Sequence, residues 1–303
     1  MPSQEPKSQP NAQQSNGRHY LAITGLLFGA LCWGVIWYPY RLMAEKGVSG
    51  VASSFYTYAI TVVLAGLYFA KHWRGLFQQP FSIIYLALVA GWTNLAYVLA
   101  VIDGEVMRVM LLFYLSPLWT LILAHFYLKE KTHRNGCIAI VIALLGAFIM
   151  LYDPTLSAWP LPRNNAEWLA LSSGMGFSLT NVLTRQAAYL SLRAKSFAVW
   201  MGVLLVSLMF MPFSLSAWPS PYFFSASHWL VMGLIALLLL AATLLVQYGV
   251  TKIAATRASV VFLFELVVAA IASYYLANES MTLNECLGGG LIVLAAVFSA
   301  KSA

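Results

Sequence analysis

The sequence predicts an all-α membrane protein with about ten transmembrane helices in two inverted repeats of five helices. Three observations support this fold class: an apolar composition, ten long apolar segments and a weak internal repeat. Of the 303 residues, 61% are hydrophobic and only 9% are charged. Soluble globular chains carry roughly 25% charged residues, so this chain has too few charges to cover a water-facing surface. We therefore expect its outer surface to face lipid.

Ten apolar segments are long enough to cross a bilayer, which requires roughly 20 mostly apolar residues per helix. The first five lie near residues 20–42, 51–70, 81–102, 105–127 and 134–152. The second five lie near residues 166–188, 196–213, 228–250, 256–277 and 283–300. They divide the chain into a disordered cytoplasmic tail at 1–19, a first repeat at 20–152, an external linker at 153–165 and a second repeat at 166–303.

The basic residues are distributed unevenly between the two sides of these spans. If the N-terminal tail is cytoplasmic, thirteen of the seventeen basic residues lie on the inner side, and the four others are Arg41, Lys46, Arg108 and Arg163. Cytoplasmic loops carry such an excess of Lys and Arg, so both termini are predicted to be cytoplasmic. Because the charges are spread through short loops, the net charge of +7 does not indicate a nucleic-acid partner.

A weak internal repeat relates the two halves of the chain. An ungapped offset of 149 places residues 103–151 over residues 252–300. The coinciding residues are Arg108 with Arg257, Phe113 with Phe262, Ile122 with Ile271, Glu130 with Glu279, Asn135 with Asn284 and Cys137 with Cys286. A second offset of 144 places Trp33 on Phe177 and Arg41 on Arg185.

The repeat has an odd number of helices, so the second half is expected to cross the membrane in the opposite direction. The charge distribution agrees, because Arg41 ends the first span on the outer side and Arg185 ends the sixth on the inner side. Inverted repeats are a recurrent transporter architecture, since two similar halves can open a central site alternately to each side. We therefore expect a transport function.

Each half of the chain contains several short motifs. They are Gly29-Ala30-Leu31-Cys32-Trp33-Gly34, Tyr114-Leu115-Ser116-Pro117, Leu128-Lys129-Glu130, Phe264-Glu265, Asn278-Glu279 and Gly288-Gly289-Gly290-Leu291-Ile292. On these motifs the chain resembles the drug/metabolite transporter superfamily, in particular its EamA-type members with ten helices. The resemblance covers residues 20–300 and implies transport of small organic solutes, such as amino acids, nucleotide-type metabolites, sugar phosphates or drugs. It does not name the cargo.

One residue departs from the pattern of that superfamily. Its members often carry a proline after the position of Glu265, as Pro117 follows Ser116 in the first half, but here Leu266 occupies that position. The ninth helix is therefore expected to be straighter than the fourth.

Glu265 is the main candidate for a binding residue, because it lies in the middle of an otherwise apolar span. An ionised carboxylate at the centre of a membrane helix costs at least about 2.5–3.5 kcal/mol, so it must face a partner or a wet cavity, or be protonated. It could bind a proton or a cationic group of the substrate. A structural hydrogen bond between helices is the alternative.

Aromatic and amide side chains complete the predicted cavity. Trp33 and Trp37 lie four residues apart on one helix face, where they could form the wall of a cavity or pack against another helix. The third and sixth spans contribute Asn94, Tyr97 and Asn181. Buried amides need hydrogen-bond partners, which either a neighbouring helix or a solute could supply.

Three further candidates lie in the fourth span. By the resemblance, Tyr114 and Ser116 lie beside the central cavity. Arg108 lies in the first turn of this span, where its guanidinium could extend to the membrane surface or bind a substrate carboxylate in a bidentate manner.

The sequence lacks the motifs of ATP-driven pumps, metalloenzymes and serine hydrolases, so no cofactor, no metal and no enzymatic activity are predicted. We expect a secondary transporter of the bacterial inner membrane that exports a small metabolite, such as an amino acid, by alternating access. The alternative is a membrane-embedded enzyme acting on a lipid-linked substrate. The expected partners are the small-molecule substrate and membrane lipids. Proton coupling through Glu265 and a homodimer formed through glycine-bearing helices stay open.

Overall fold

A computed structural model describes residues 12–69, 71, 81–129, 134–152, 161–213, 224–253 and 255–301. Most of the predicted external linker lies outside these residues. The helices are α1 Ala12–Glu45, α2 Gly50–Tyr68, α3 Ser82–Asp103, α4 Val106–Phe113, α5 Ser116–Leu128, α6 Arg134–Leu151, α7 Asn165–Gln186, α8 Leu192–Phe210, α9 Ala226–Lys252, α10 Ala255–Ala277 and α11 Leu283–Lys301.

These helices confirm the predicted all-α fold, with α4 and α5 together forming the fourth of ten spans. Among the described residues, six spans pass a test of length and apolar composition for crossing a membrane, and shorter apolar helices occur within α10 and α11. The first helix begins at Ala12, whereas the sequence predicted a disordered segment up to residue 19. Ala12 and the two glutamines after it favour the helical conformation.

The fourth span is broken where the sequence contains proline. Pro117 occupies the first turn of α5, and α4 ends at Phe113. A proline ring clashes with the carbonyl of the residue four positions earlier and cannot donate to it, which here is Phe113. The repeat-equivalent helix α10, which has Leu266 in place of a proline, is continuous.

Contacts between helix ends show that α1 and its repeat equivalent α7 end on opposite sides of the bundle. At one end of the bundle, Arg41 near the end of α1 pairs with Glu279 after α10. At the other end, Arg185 of α7 donates to the carbonyl of Ile253 after α9. The C-terminal ends of α1 and α7 therefore lie at opposite ends of the bundle, which we name the Arg41 end and the Arg185 end.

The packing between the halves has an approximate two-fold symmetry. Helix α3 packs on α7 and α8, and the equivalent helix α9 packs on α1 and α2. In the same way α1 packs on α10, while α7 packs on α4 and α5. The last helices of the two halves, α6 and α11, pack on each other. The second half is thus an inverted copy of the first, and the two are interleaved.

Glycines allow several of these helices to approach closely. Gly25 and Gly29 of α1 contact Leu245 and Val246 of α9. Gly146 of α6 faces the backbone of α11. These glycine faces are thus occupied by neighbouring helices of the same chain.

Candidate functional site: a central cavity between the halves

A cavity of about 100 Å³ lies between the two halves of the bundle. Helices from both halves line it, which follows from the interleaved packing. The described lining residues are Trp33, Ile36, Tyr40, Tyr58, Ala90, Thr93, Asn94, Tyr97, Val98, Phe113, Phe177, Thr180, Asn181, Val199, Val203, Leu239, Thr243, Val246, Gln247 and Glu265.

A cluster of aromatic rings joins the halves beside this cavity. Trp33 of α1 meets its repeat partner Phe177 of α7 edge to face, with 5.9 Å between ring centroids. The Trp33–Phe262 contact at 5.7 Å has its repeat equivalent in the Phe177–Phe113 contact at 5.2 Å. Such pairs stabilise by about 0.5–1.5 kcal/mol beyond the area they bury. The cluster therefore fixes one boundary of the cavity.

Glu265 brings a carboxyl group to the cavity from the middle of α10. Only 2% of the residue is exposed. The rings of Tyr97 and Tyr114 lie close to the carboxyl group, while its Oε2 atom has no hydrogen-bond partner among the described residues. A buried acceptor without a partner costs about 1–3 kcal/mol, and more when it is charged, so this oxygen requires a proton, water or a solute.

Other polar atoms of the cavity wall share this lack of partners. They are Tyr40 OH, Asn94 Oδ1, Thr180 Oγ1, Asn181 Nδ2 and Gln247 Oε1. Buried polar side chains usually have at least one partner. Because these atoms come from four helices of both halves, a molecule in the cavity could bind both halves at once.

Five of the nine predicted site residues line this cavity: Trp33, Asn94, Tyr97, Asn181 and Glu265. Their side chains come from four helices that are distant in sequence, so the fold alone brings them together.

Trp37, Tyr114 and Ser116 are not among the described lining residues. The Trp37 indole donates to the carbonyl of Gly34 over 2.9 Å, and its ring packs 5.4 Å from the Arg41 guanidinium. The Tyr114 hydroxyl donates to the carbonyl of Phe262 over 2.7 Å. Ser116 is buried at the start of α5, where its carbonyl accepts a hydrogen bond from Ser178 over 2.6 Å.

Arg108 lies away from the cavity, at the Arg41 end. Its Nε atom is 2.6 Å from Oε1 of Glu167, which begins the second half on α7. Glu167 also accepts from the backbone N–H of Arg163 over 2.9 Å. The guanidinium is therefore engaged by a carboxylate of the protein.

Several wall residues are not among the nine predicted site residues, notably Tyr40, Tyr58, Thr180, Thr243 and Gln247. Tyr40 continues the face of Trp33 and Trp37, so the helical spacing could have indicated it. Tyr58 lies among other hydroxyl residues of α2, and nothing in the sequence distinguishes it from them.

The sequence of this chain matches a known protein family. The sequence pattern of the EamA-like transporter family matches residues 20–152 and again residues 164–300. The chain belongs to the EamA-like transporter family. An uncharacterized transporter of Archaeoglobus fulgidus is 25% identical over 217 residues, which cover 70% of this chain and 73% of that protein.

A protein of known crystal structure superimposes on this transporter with a TM-score of 0.64 at 15% sequence identity. The superposition covers 95% of this chain and 97% of the other chain, which shows likeness of fold alone.

Across the described part of this transporter, no group of three His, Cys, Asp or Glu side chains is placed to hold a metal ion.

Proposed function

We propose that this protein is a secondary transporter that moves a small organic solute through the central cavity by alternating access. The main support for this proposal is the Glu265 carboxyl group, which is buried in the cavity wall and has one oxygen without a hydrogen-bond partner among the described residues. A transport site needs polar groups that are incompletely satisfied by the protein, because a solute must replace its hydration there. The inverted halves supply the two conformations that alternating access requires.

The size of the cavity supports a conformational cycle. Its volume of about 100 Å³ is well below the ~300–1,000 Å³ of most small-molecule pockets. A metabolite of several heavy atoms therefore enters only if the halves move apart.

Contacts at the Arg41 end support a gate on that side. Arg41 pairs with Glu279 over 2.9 Å, and Arg108 pairs with Glu167 over 2.6 Å. Each pair joins the first half to the second, so opening the cavity toward this end requires both to separate. We propose that this end faces the outside and that both termini are cytoplasmic in a bacterial inner membrane.

Export from the cytoplasm is the direction we propose, with energy from the solute gradient or from protons that bind Glu265. The excess of basic residues at the Arg185 end supports placing that end in the cytoplasm. Glu265 can serve either source of energy, since a carboxylate in an apolar span binds a proton or a cation.

Transport by purified protein in proteoliposomes tests this function. Vesicles are loaded in turn with radiolabelled amino acids, amines, nucleosides, organic acids and sugar phosphates, and exchange is measured with and without a proton gradient. We expect exchange of at least one compound, and its loss in Glu265→Gln. Glu285→Gln is the matched control, because Glu285 is equally buried but accepts from Thr282 over 2.8 Å at the start of α11. A chain that exchanges no compound under any gradient is not the transporter proposed.

A further inference from the structure

We infer that the central cavity selects a small organic monocation, such as an alkylammonium or arylalkylammonium ion, over zwitterions and anions. This inference rests on the proposed function and specifies its substrate class. It differs from the amino acid expected from the sequence, because an amino acid carries a carboxylate as well as an ammonium group.

The charge of the cavity wall is the first argument. Glu265 carries the only formal charge among the described lining residues. The two arginines at the Arg41 end lie outside the cavity wall and pair with carboxylates of the protein, Arg108 with Glu167 and Arg41 with Glu279. A buried carboxylate must be protonated, hydrated or paired with a positive charge. A cationic solute supplies that charge directly.

The aromatic wall is the second argument. Trp33, Tyr40, Tyr58 and Tyr97 line the cavity together with two phenylalanines. Aromatic faces attract cations through their quadrupole, with tryptophan and tyrosine among the strongest. The same faces repel an anion, so they add to the preference that Glu265 sets.

The unpartnered polar atoms are the third argument. An alkylammonium ion has three N–H donors and no acceptor. The cavity offers the Oε2 atom of Glu265 and the carbonyl oxygens of Asn94 and Gln247, and none of these three atoms has a partner in the described residues. These acceptors match the needs of an ammonium group.

A zwitterionic cargo lacks a partner for its carboxylate in this cavity. Asn181 and Thr180 offer hydrogen-bond donors, but neither neutralises a charge. A second carboxylate beside Glu265 would place two like charges in an apolar enclosure. Zwitterions and anions are therefore both expected to bind more weakly than a cation.

Three compounds with the same alkyl chain test the charge preference: n-butylammonium, norvaline and pentanoate. Norvaline is n-butylammonium with an added carboxylate, and pentanoate is norvaline without the ammonium group. Binding to purified protein is measured by titration calorimetry, and exchange is measured in proteoliposomes. We expect n-butylammonium to bind at least about tenfold more tightly than norvaline, because norvaline leaves a buried charge unpaired. Pentanoate is expected not to bind.

Phenethylamine and phenylalanine repeat the comparison with an aromatic chain, in case the alkyl chain is too small to fill the opened cavity. Glu265→Gln should abolish the preference for the amine in both pairs, whereas Glu285→Gln should retain it. The thermal unfolding of each variant verifies that it is folded.

Equal or tighter binding of the zwitterion in both pairs would overturn the inference while leaving the transporter function intact. The same holds if the preference for the amine persists in Glu265→Gln. The proposed function fails instead if none of the wider panel of metabolites is exchanged.

Discussion

Repeat-equivalent arginines act in similar ways at the two ends of the bundle, since Arg41 and Arg185 each donate to a carbonyl just after the end of a helix. Arg41 donates to the carbonyls of Val101, over 2.7 Å, and of Gly104, where α3 ends. Arg185 donates over 2.8 Å to the carbonyl of Ile253, where the equivalent helix α9 ends. At the Arg41 end a carboxylate from the other half, Glu279, joins the arrangement.

The turn that presents Glu279 also occurs at the Arg185 end. Asn278 has a left-handed backbone with φ of 54°, and its repeat equivalent Lys129 has φ of 56°. Glu279 follows the first of these residues, and Glu130, which is outside the described part of the chain, follows the second. The repeat has thus preserved an unfavourable backbone conformation at both ends. The inverted halves therefore share this local backbone geometry as well as their overall fold.

The two ends of the bundle differ in how buried positive charge is accommodated. At the Arg185 end the Lys195 side chain is fully buried. Its Nζ atom donates to Thr251 Oγ1 over 2.6 Å and to the Thr184 carbonyl over 3.4 Å. No described carboxylate forms an ion pair with it. The positive charge of Lys195 is therefore solvated by neutral oxygens, whereas Arg41 and Arg108 pair with carboxylates.

The largest effect is expected in the middle of the bundle, where α3 and α8 cross. A Cβ atom on Gly202 would lie 1.9 Å from the carbonyl oxygen of Ala87. Backbone cannot move aside as a side chain can, so Gly202→Ala should destabilise the protein by about 3 kcal/mol or more. Unfolding by SDS titration, followed by circular dichroism, measures the loss. An unchanged midpoint would mean that the helices separate easily at this crossing.

The next largest effect is expected from Arg41→Ala at the Arg41 end. The substitution removes three acceptor contacts and leaves Glu279, which is 19% exposed at its side chain, without its cation. Breaking a largely buried pair should cost about 2–4 kcal/mol. SDS titration again measures it. The double variant with Glu279→Gln should recover part of the loss, because the stranded charge is gone, and full additivity would contradict the coupling.

A smaller effect is expected from Lys195→Met at the Arg185 end. Methionine keeps most of the side-chain volume and removes the buried charge, which is often neutral or stabilising. Thr251 retains a partner, since its hydroxyl donates to the carbonyl of Gln247 over 2.7 Å. Stability should therefore change by no more than about 1 kcal/mol. A loss as large as that of Arg41→Ala would show that the ammonium group stabilises the fold.

The smallest effect is expected from Gly233→Ala in α9, which is the matched control for Gly202→Ala. A Cβ atom on Gly233 would meet nothing within 4 Å. Alanine in a helix interior is more favourable than glycine by roughly 0.5–1 kcal/mol, so a small gain in the SDS midpoint is expected. A loss would indicate that this face of α9 has a close neighbour in the membrane.

Much of the architecture was predictable because it depends on local properties of the chain. The scarcity of charge required a lipid-facing surface, and Pro117 predicted the break that separates α4 from α5. The absence of a proline at Leu266 predicted a continuous α10. Such features follow from the solvent and from the chemistry of single residues, and they do not require knowledge of long-range contacts.

The sequence alone determined the number of spans, their alternating direction and Glu265 as the notable buried acid, because an ionisable group in an apolar span is exceptional wherever it lies. Only the tertiary structure decided which other side chains share its cavity. Trp33 lines the cavity while Trp37, one turn later, packs beside Arg41. In a bundle whose helices are apolar on every side, periodicity does not distinguish a face toward a cavity from a face toward another helix or lipid, so the packing of the two halves makes that choice.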